Sequence, residues 1–198
     1  YMKGGPEMAI NMLNMNLDMN ITDFITVGFA GLADTIDALG GVMIDVDEAE
    51  INHLNSYQFT MAEDLKRPYK EVTSTGYQLL TGLQATAYCR IRYTAGDDFK
   101  RTERQREVIM AMADKAKTAS VSTLNQIASD VFNEIYTSLD LTEIVELLGG
   151  ISEYNIVDQA GFPYEEYRTT GTIGSKGSCV IPVDLKESVE WLHKFLFD

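Results

Sequence analysis

Apolar residues along this 198-residue chain recur in two ways, as short alternating runs and as longer stretches with helical spacing. Met8, Met12, Met15 and Met19 follow helical period, and Pro6 suits a first turn, so a helix is expected over 6–17. Its methionine stripe reads as core, although flexible thioethers would also line a greasy groove. A short strand is expected within 22–28. Phe29, Leu32, Ala33, Ile36 and Leu39 then keep helical period until Gly40 and Gly41, which end a helix as left-handed glycines do. Residues 42–46 alternate and read as a strand. A helix between strands points to α/β architecture.

From 47 to 74 the chain is polar, and it reads as an extended excursion with one short helix over 49–54 and His53 at the surface. Thr81-Gly82-Leu83-Gln84 forms a capping box that opens a short helix to Tyr88. A long helix is expected from about Arg101 to Thr118. Two more follow over 122–139 and 141–148, the second capped by Asp140 and Glu143. Residues 156–160 and 178–183 read as strands, with a glycine-rich hairpin turn over 171–177 that lacks P-loop spacing. Asp184 and Glu187 open a last helix with Leu185, Val189, Leu192 and Leu196 on one face, and Trp191 and His193 as packing or surface residues. No linker is evident, so 1–198 is expected to be a single domain.

Charge sharpens this picture. Asp and Glu outnumber Lys and Arg by 30 to 16, giving a formal net charge of −14. Such a balance argues against a generic nucleic-acid binder. Yet Arg90, Arg92, Lys100, Arg101, Arg104 and Arg106 crowd into one segment. If the chain is extended there, Arg90 and Arg92 point the same way. Arg101 and Gln105 lie four apart on a helix and share a face continued by Val108, Met112 and Ala116. That face is expected to be inward or half-buried, where an unpaired guanidinium is costly. Asp98 lies three residues before Arg101 and can orient it, with Gly96 giving the turn its freedom. Arg104 and Arg106 fall on other faces and are expected in solvent. Planar, permanently charged forks at several angles suit phosphate or pyrophosphate, and a salt-bridge network with Glu103 and Glu107 is the competing reading.

Cys89 and Cys179 fit neither a CxxC motif nor a zinc site, and they remain open between two buried thiols and one disulfide. No apolar run of roughly 18 residues or more is present.

The order Leu80-Thr-Gly82-Leu83-Gln-Ala-Thr-Ala-Tyr88-Cys-Arg90-Ile-Arg92, then Asp98-Phe-Lys-Arg101, then Arg104-Gln105, resembles the core motif of the LytR–CpsA–Psr family. Gly4-Gly5 before a helix and Asp37-Ala-Leu-Gly40-Gly41-Val42 agree with it, so the motif-bearing region is 1–117 and the terminal helices and strands occupy 118–198. The resemblance implies an α/β fold, a mixed central sheet flanked by helices. It implies a membrane-anchored enzyme on the extracytoplasmic face of a bacterial membrane, held by an anchor upstream of this chain. Family members transfer a glycopolymer from a polyprenyl (pyro)phosphate carrier to peptidoglycan or another wall acceptor, and the family's older label is transcriptional attenuator. Carried over, Arg90, Arg92, Arg101 and Gln105 line the pyrophosphate site, and Asp98 positions them or serves as a base toward the acceptor hydroxyl, making Asp98 and Arg101 the catalytic candidates. The family's magnesium-binding aspartates lie upstream of its Gly-Gly segment, so Mg2+ is expected in the parent protein with no ligand in this chain, and this piece alone is expected to be impaired. A non-catalytic polyprenyl-phosphate or polyanion-binding module of the envelope is the alternative. An oxidising location would also favour the Cys89–Cys179 pairing.

Overall fold

The computed structural model describes residues 4–92 and 97–197. In chain order the elements are α1 (Gly5–Leu17), β1 (Ile25–Val27), α2 (Phe29–Ala38), β2 (Val42–Val46), α3 (Glu48–Leu65), β3 (Gly76–Leu80) and α4 (Gly82–Tyr88), then α5 (Asp97–Thr118), α6 (Val121–Val131), β4 (Ile135–Thr137), α7 (Leu141–Gly149), β5 (Arg168–Thr172), β6 (Ser178–Pro182) and α8 (Leu185–Phe197). The α/β class stands. Among the described residues the strands pair as three two-stranded antiparallel ribbons, β1–β4, β2–β3 and β5–β6, rather than as one mixed sheet. The chain divides into two compact units, residues 23–155 and the pair of segments 1–22 and 156–198.

In the larger unit, β2 turns Val42, Ile44 and Val46 inward and pairs in register with β3, Val42 opposite Leu80 and Val46 opposite Gly76. The polar excursion expected over 47–74 hid most of α3, and β3 just after it went unread. Asp47 and Glu50 form a capping box, and helical period then runs through Leu54, Met61 and Ala62. Buried Gln58 interrupts the apolar pattern, which is why the helix read as short. Gly41 and Gly40 adopt φ of 84° and 80°, and Gly41 donates to the Ile36 carbonyl at 2.9 Å, closing α2 as expected. Gly82 sits against the Ala33 backbone, where a Cβ has no room, so α4 lies close on α2. Asp37 fixes that crossing by accepting from the Gly82 N–H at 2.6 Å. The core gathers Ile36, Val42, Ile44, Leu54, Leu80, Tyr88, Ile91 and Val108. Each such aliphatic side chain contributes roughly 1.5–3 kcal/mol by leaving water.

Two more expectations are corrected here. Helix α5 starts at Asp97, a turn earlier than read, while Gly96 lies outside the described residues. Helix α6 stops at Val131, because Ile135–Thr137 pairs with β1 and long-range pairing overrides local period. The Asp140–Glu143 capping box of α7 forms as read.

In the smaller unit, β5 and β6 make the expected hairpin, and Asp184 accepts from the Glu187 N–H at 3.1 Å to cap α8. Residues 156–160 form no strand. Trp191 packs between Tyr164 and Phe195, with ring centroids 4.5 and 5.3 Å away. His193 Nε2 lies 2.8 Å from the Leu17 carbonyl oxygen. Met8, Met12 and Met15 are exposed, so the stripe on α1 is not core: Pro6 is the residue α1 buries, and period alone does not say which face is covered.

Candidate functional site

A cleft of about 560 Å³ opens in the larger unit, within the usual size of small-molecule sites (about 300–1,000 Å³). Its position follows from local structure. The Thr81 cap starts α4, and α4 ends at Cys89, delivering Arg90 to the cleft. Ile91 is fully buried between Arg90 and Arg92, so both flanking arginines line the same cavity. The first turns of α5 add Arg101 and Gln105. The lining is therefore rich in cationic groups, and the apolar side chains of Val27, Phe29, Leu32 and Ile109 share it.

The charges are organised. Arg90 stacks its guanidinium on two rings, 4.5 Å from the Phe29 centroid and 5.0 Å from that of Tyr57. Stacking of this kind holds the fork flat and leaves its N–H edges for an anion. Asp98 Oδ1 lies 3.0 Å from Arg92 and 3.2 Å from Arg101, spacing two cations that would otherwise repel. All three of these side chains keep substantial contact with water, from 32% for Arg101 to 52% for Asp98. Gln105 donates to the Cys89 carbonyl at 3.4 Å. Thr86 also lines the cleft, and its buried hydroxyl has no hydrogen-bond partner among the described residues.

Each of Arg90, Arg92, Asp98, Arg101 and Gln105 thus belongs to one locality. The expectation for Arg104 is overturned. It is buried, with Nε donating to Glu50 Oε1 at 2.6 Å and Nη1 donating to the Ile91 carbonyl at 3.2 Å. Helix α5 turns Arg104 and Val108 inward, with Arg101 and Gln105 beside them at the cleft. Sequence reasoning also missed Phe29 and Tyr57 as ring partners of Arg90. Glu50 held the one available signal: a carboxylate at the third position of a capped helix is a ready partner for a buried arginine.

Neighbouring groups feel the same burial. The Cys89 thiol is pushed up to about 12, chiefly by burial. Burial, and then its hydrogen bond to Glu107 at 2.7 Å, drives the Tyr88 hydroxyl far above its ordinary range. Both cysteines are free thiols here, Cys89 packed in the core of the larger unit and Cys179 on the hairpin of the smaller one.

Comparison with known proteins agrees with the motif. A Bacillus subtilis protein named polyisoprenyl-teichoic acid–peptidoglycan teichoic acid transferase TagV is 28% identical over 145 residues, covering 72% of this chain and 35% of that protein. Biofilm regulatory protein A of Streptococcus mutans is 30% identical over 154 residues, covering 75% of this chain and 36% of that protein. The chain thus spans about a third of the length of these relatives. The crystal structure of B. subtilis TagV superimposes with a TM-score of 0.70 at 23% identity, covering 98% of this chain and 71% of that one, and so shares its fold. The LytR_cpsA_psr family model matches residues 1–181, well past the motif at 80–105, and the chain belongs to that family.

Proposed function

We propose that the parent protein transfers a glycopolymer from a polyprenyl (pyro)phosphate carrier to peptidoglycan, at the extracytoplasmic face of the membrane, and that this cleft binds the carrier end of the donor. The observation that carries the reading is a single cavity lined by cationic and apolar side chains together. Arg90, Arg92 and Arg101 hold the diphosphate, with Gln105 beside them. Val27, Phe29, Leu32 and Ile109 take the start of the prenyl chain. In this phosphotransferase-type reaction the acceptor hydroxyl displaces the carrier phosphate, and guanidiniums placed where charge builds on the diphosphate stabilise the transition state as well as the bound donor. Asp98 already bridges two of them, which gives it a positioning role. The names of the transferase relatives support the same substrate class. Among the described residues no group of three or more His, Cys, Asp or Glu side chains could hold a metal ion.

Calorimetric titration with farnesyl pyrophosphate tests the reading. Arg90→Ala and Arg101→Ala should each weaken binding tenfold or more (about 1.4 kcal/mol). Unchanged affinity in both variants would overturn it. Binding without polymer transfer in the full-length protein would favour a carrier-binding module instead.

A further inference from the structure

We propose that Arg104 is a positioning residue, which through Glu50 and the Ile91 carbonyl sets the spacing of Arg90 and Arg92. This deepens the reading above and rests on it. Arg104 is 3% exposed and Glu50 6%, so the pair stands out of water and neither side chain reaches a ligand from there. Its contacts converge on the backbone that carries the cleft arginines. Arg104 Nη1 donates to the Ile91 carbonyl at 3.2 Å, and its neighbour Gln105 donates to the Cys89 carbonyl at 3.4 Å. Two consecutive residues of α5 therefore hold the carbonyls on either side of Arg90.

Glu50 anchors the other end. One carboxylate oxygen receives Arg104 at 2.6 Å, while the other accepts from the Asp47 N–H at 3.0 Å as part of the α3 cap. The guanidinium thus ties α3, α5 and the segment after α4 into one rigid support. It also lies 5.8 Å from the ring centroid of Tyr88. A diphosphate gains from several arginines only if they are already spaced for it, because each side chain ordered on binding costs about 0.5–1.5 kcal/mol. Arg90 and Arg92 have their own partners in Phe29, Tyr57 and Asp98, but their backbone is held from behind by Arg104.

The test is titration of the chain, and of Glu50→Gln and Arg104→Lys, with farnesyl pyrophosphate and with farnesol, with Arg101→Ala as control. A positioning role lowers farnesyl pyrophosphate affinity tenfold or more in Glu50→Gln and leaves farnesol affinity within twofold. Arg104→Lys keeps the charge but loses the two-ended grip, and should show the same split. Equal loss for both ligands would mean that the pair only stabilises the fold, and no loss for either would mean that it does not reach the cleft; each overturns the inference. If farnesol fails to bind the unaltered chain, or Arg101→Ala leaves farnesyl pyrophosphate binding intact, it is the site reading itself that falls.

Discussion

Two sets of ion pairs lie within a few residues of each other and are built for opposite ends. Arg104 and Glu50 meet at 2.6 Å with side chains 4% and 9% exposed. Arg92, Asp98 and Arg101 meet at 3.0 and 3.2 Å with about a third to a half of each side chain in water. The buried pair has surrendered its hydration, so neither partner can be removed cheaply. The exposed group remains solvated, and its arginines can take an anion without a large desolvation cost. Arginine count alone would have ranked these residues together; burial separates the support from the binding surface.

That contrast can be broken by experiment. The largest effect is expected for Arg104→Ala, which leaves Glu50 charged and unpaired and should lower the unfolding free energy by about 3–5 kcal/mol. Urea denaturation measures it, and a loss under about 1 kcal/mol would place the pair with the surface class.

The next is a pH effect confined to the buried side. Unfolded, the Cys89 thiol titrates near its ordinary 9.0; folded, it holds its proton to about 12. The folded state therefore binds more protons between those values, and stability that is full below about pH 9 is lost as pH rises toward 12. Tyr88, also raised, adds loss of the same sign from its ordinary 10.0 upward. Urea midpoints at pH 8 and pH 10.5 should differ, and equal midpoints would count against the burial of both groups.

A smaller change is expected at the cleft. Phe29→Leu keeps that position apolar but removes one ring under Arg90, and should weaken farnesyl pyrophosphate binding by about 0.5–1 kcal/mol. An unchanged titration would leave Tyr57 as the effective partner. Smallest of all, Asp98→Ala should move stability by less than about 1 kcal/mol, and 0.5 M salt should erase that difference by screening. A stability loss that persists in salt would show Asp98 to be more than a surface spacer.

Much of the site could be read from the chain before its fold. Spacing paired Arg90 with Arg92 and Arg101 with Gln105, and the family resemblance grouped all four; they line one cleft, and Asp98 bridges Arg92 and Arg101. The capping boxes at Thr81 and Asp140 and the glycine stop at 40–41 are local chemistry, and local chemistry survives folding. Arg104 was misplaced for a geometric reason. A helix advances about 100° per residue, so a stripe through Arg101, Gln105 and Val108 and one through Arg104 and Val108 share members and differ by a small rotation. Spacing could not choose between them; the carboxylate of Glu50, distant in sequence, does.

The sequence by itself determined where most helices begin and end, because caps, breakers and period act over three or four residues. It also marked the arginine-rich segment, since a cluster of cations in an acidic chain is visible without coordinates. Only the tertiary structure decided that Ile135–Thr137 is a strand, that α3 runs to Leu65, and that Arg90 lies on Phe29 and Tyr57. Each of those depends on a partner far along the chain, and which distant surfaces meet is set by how the whole core closes.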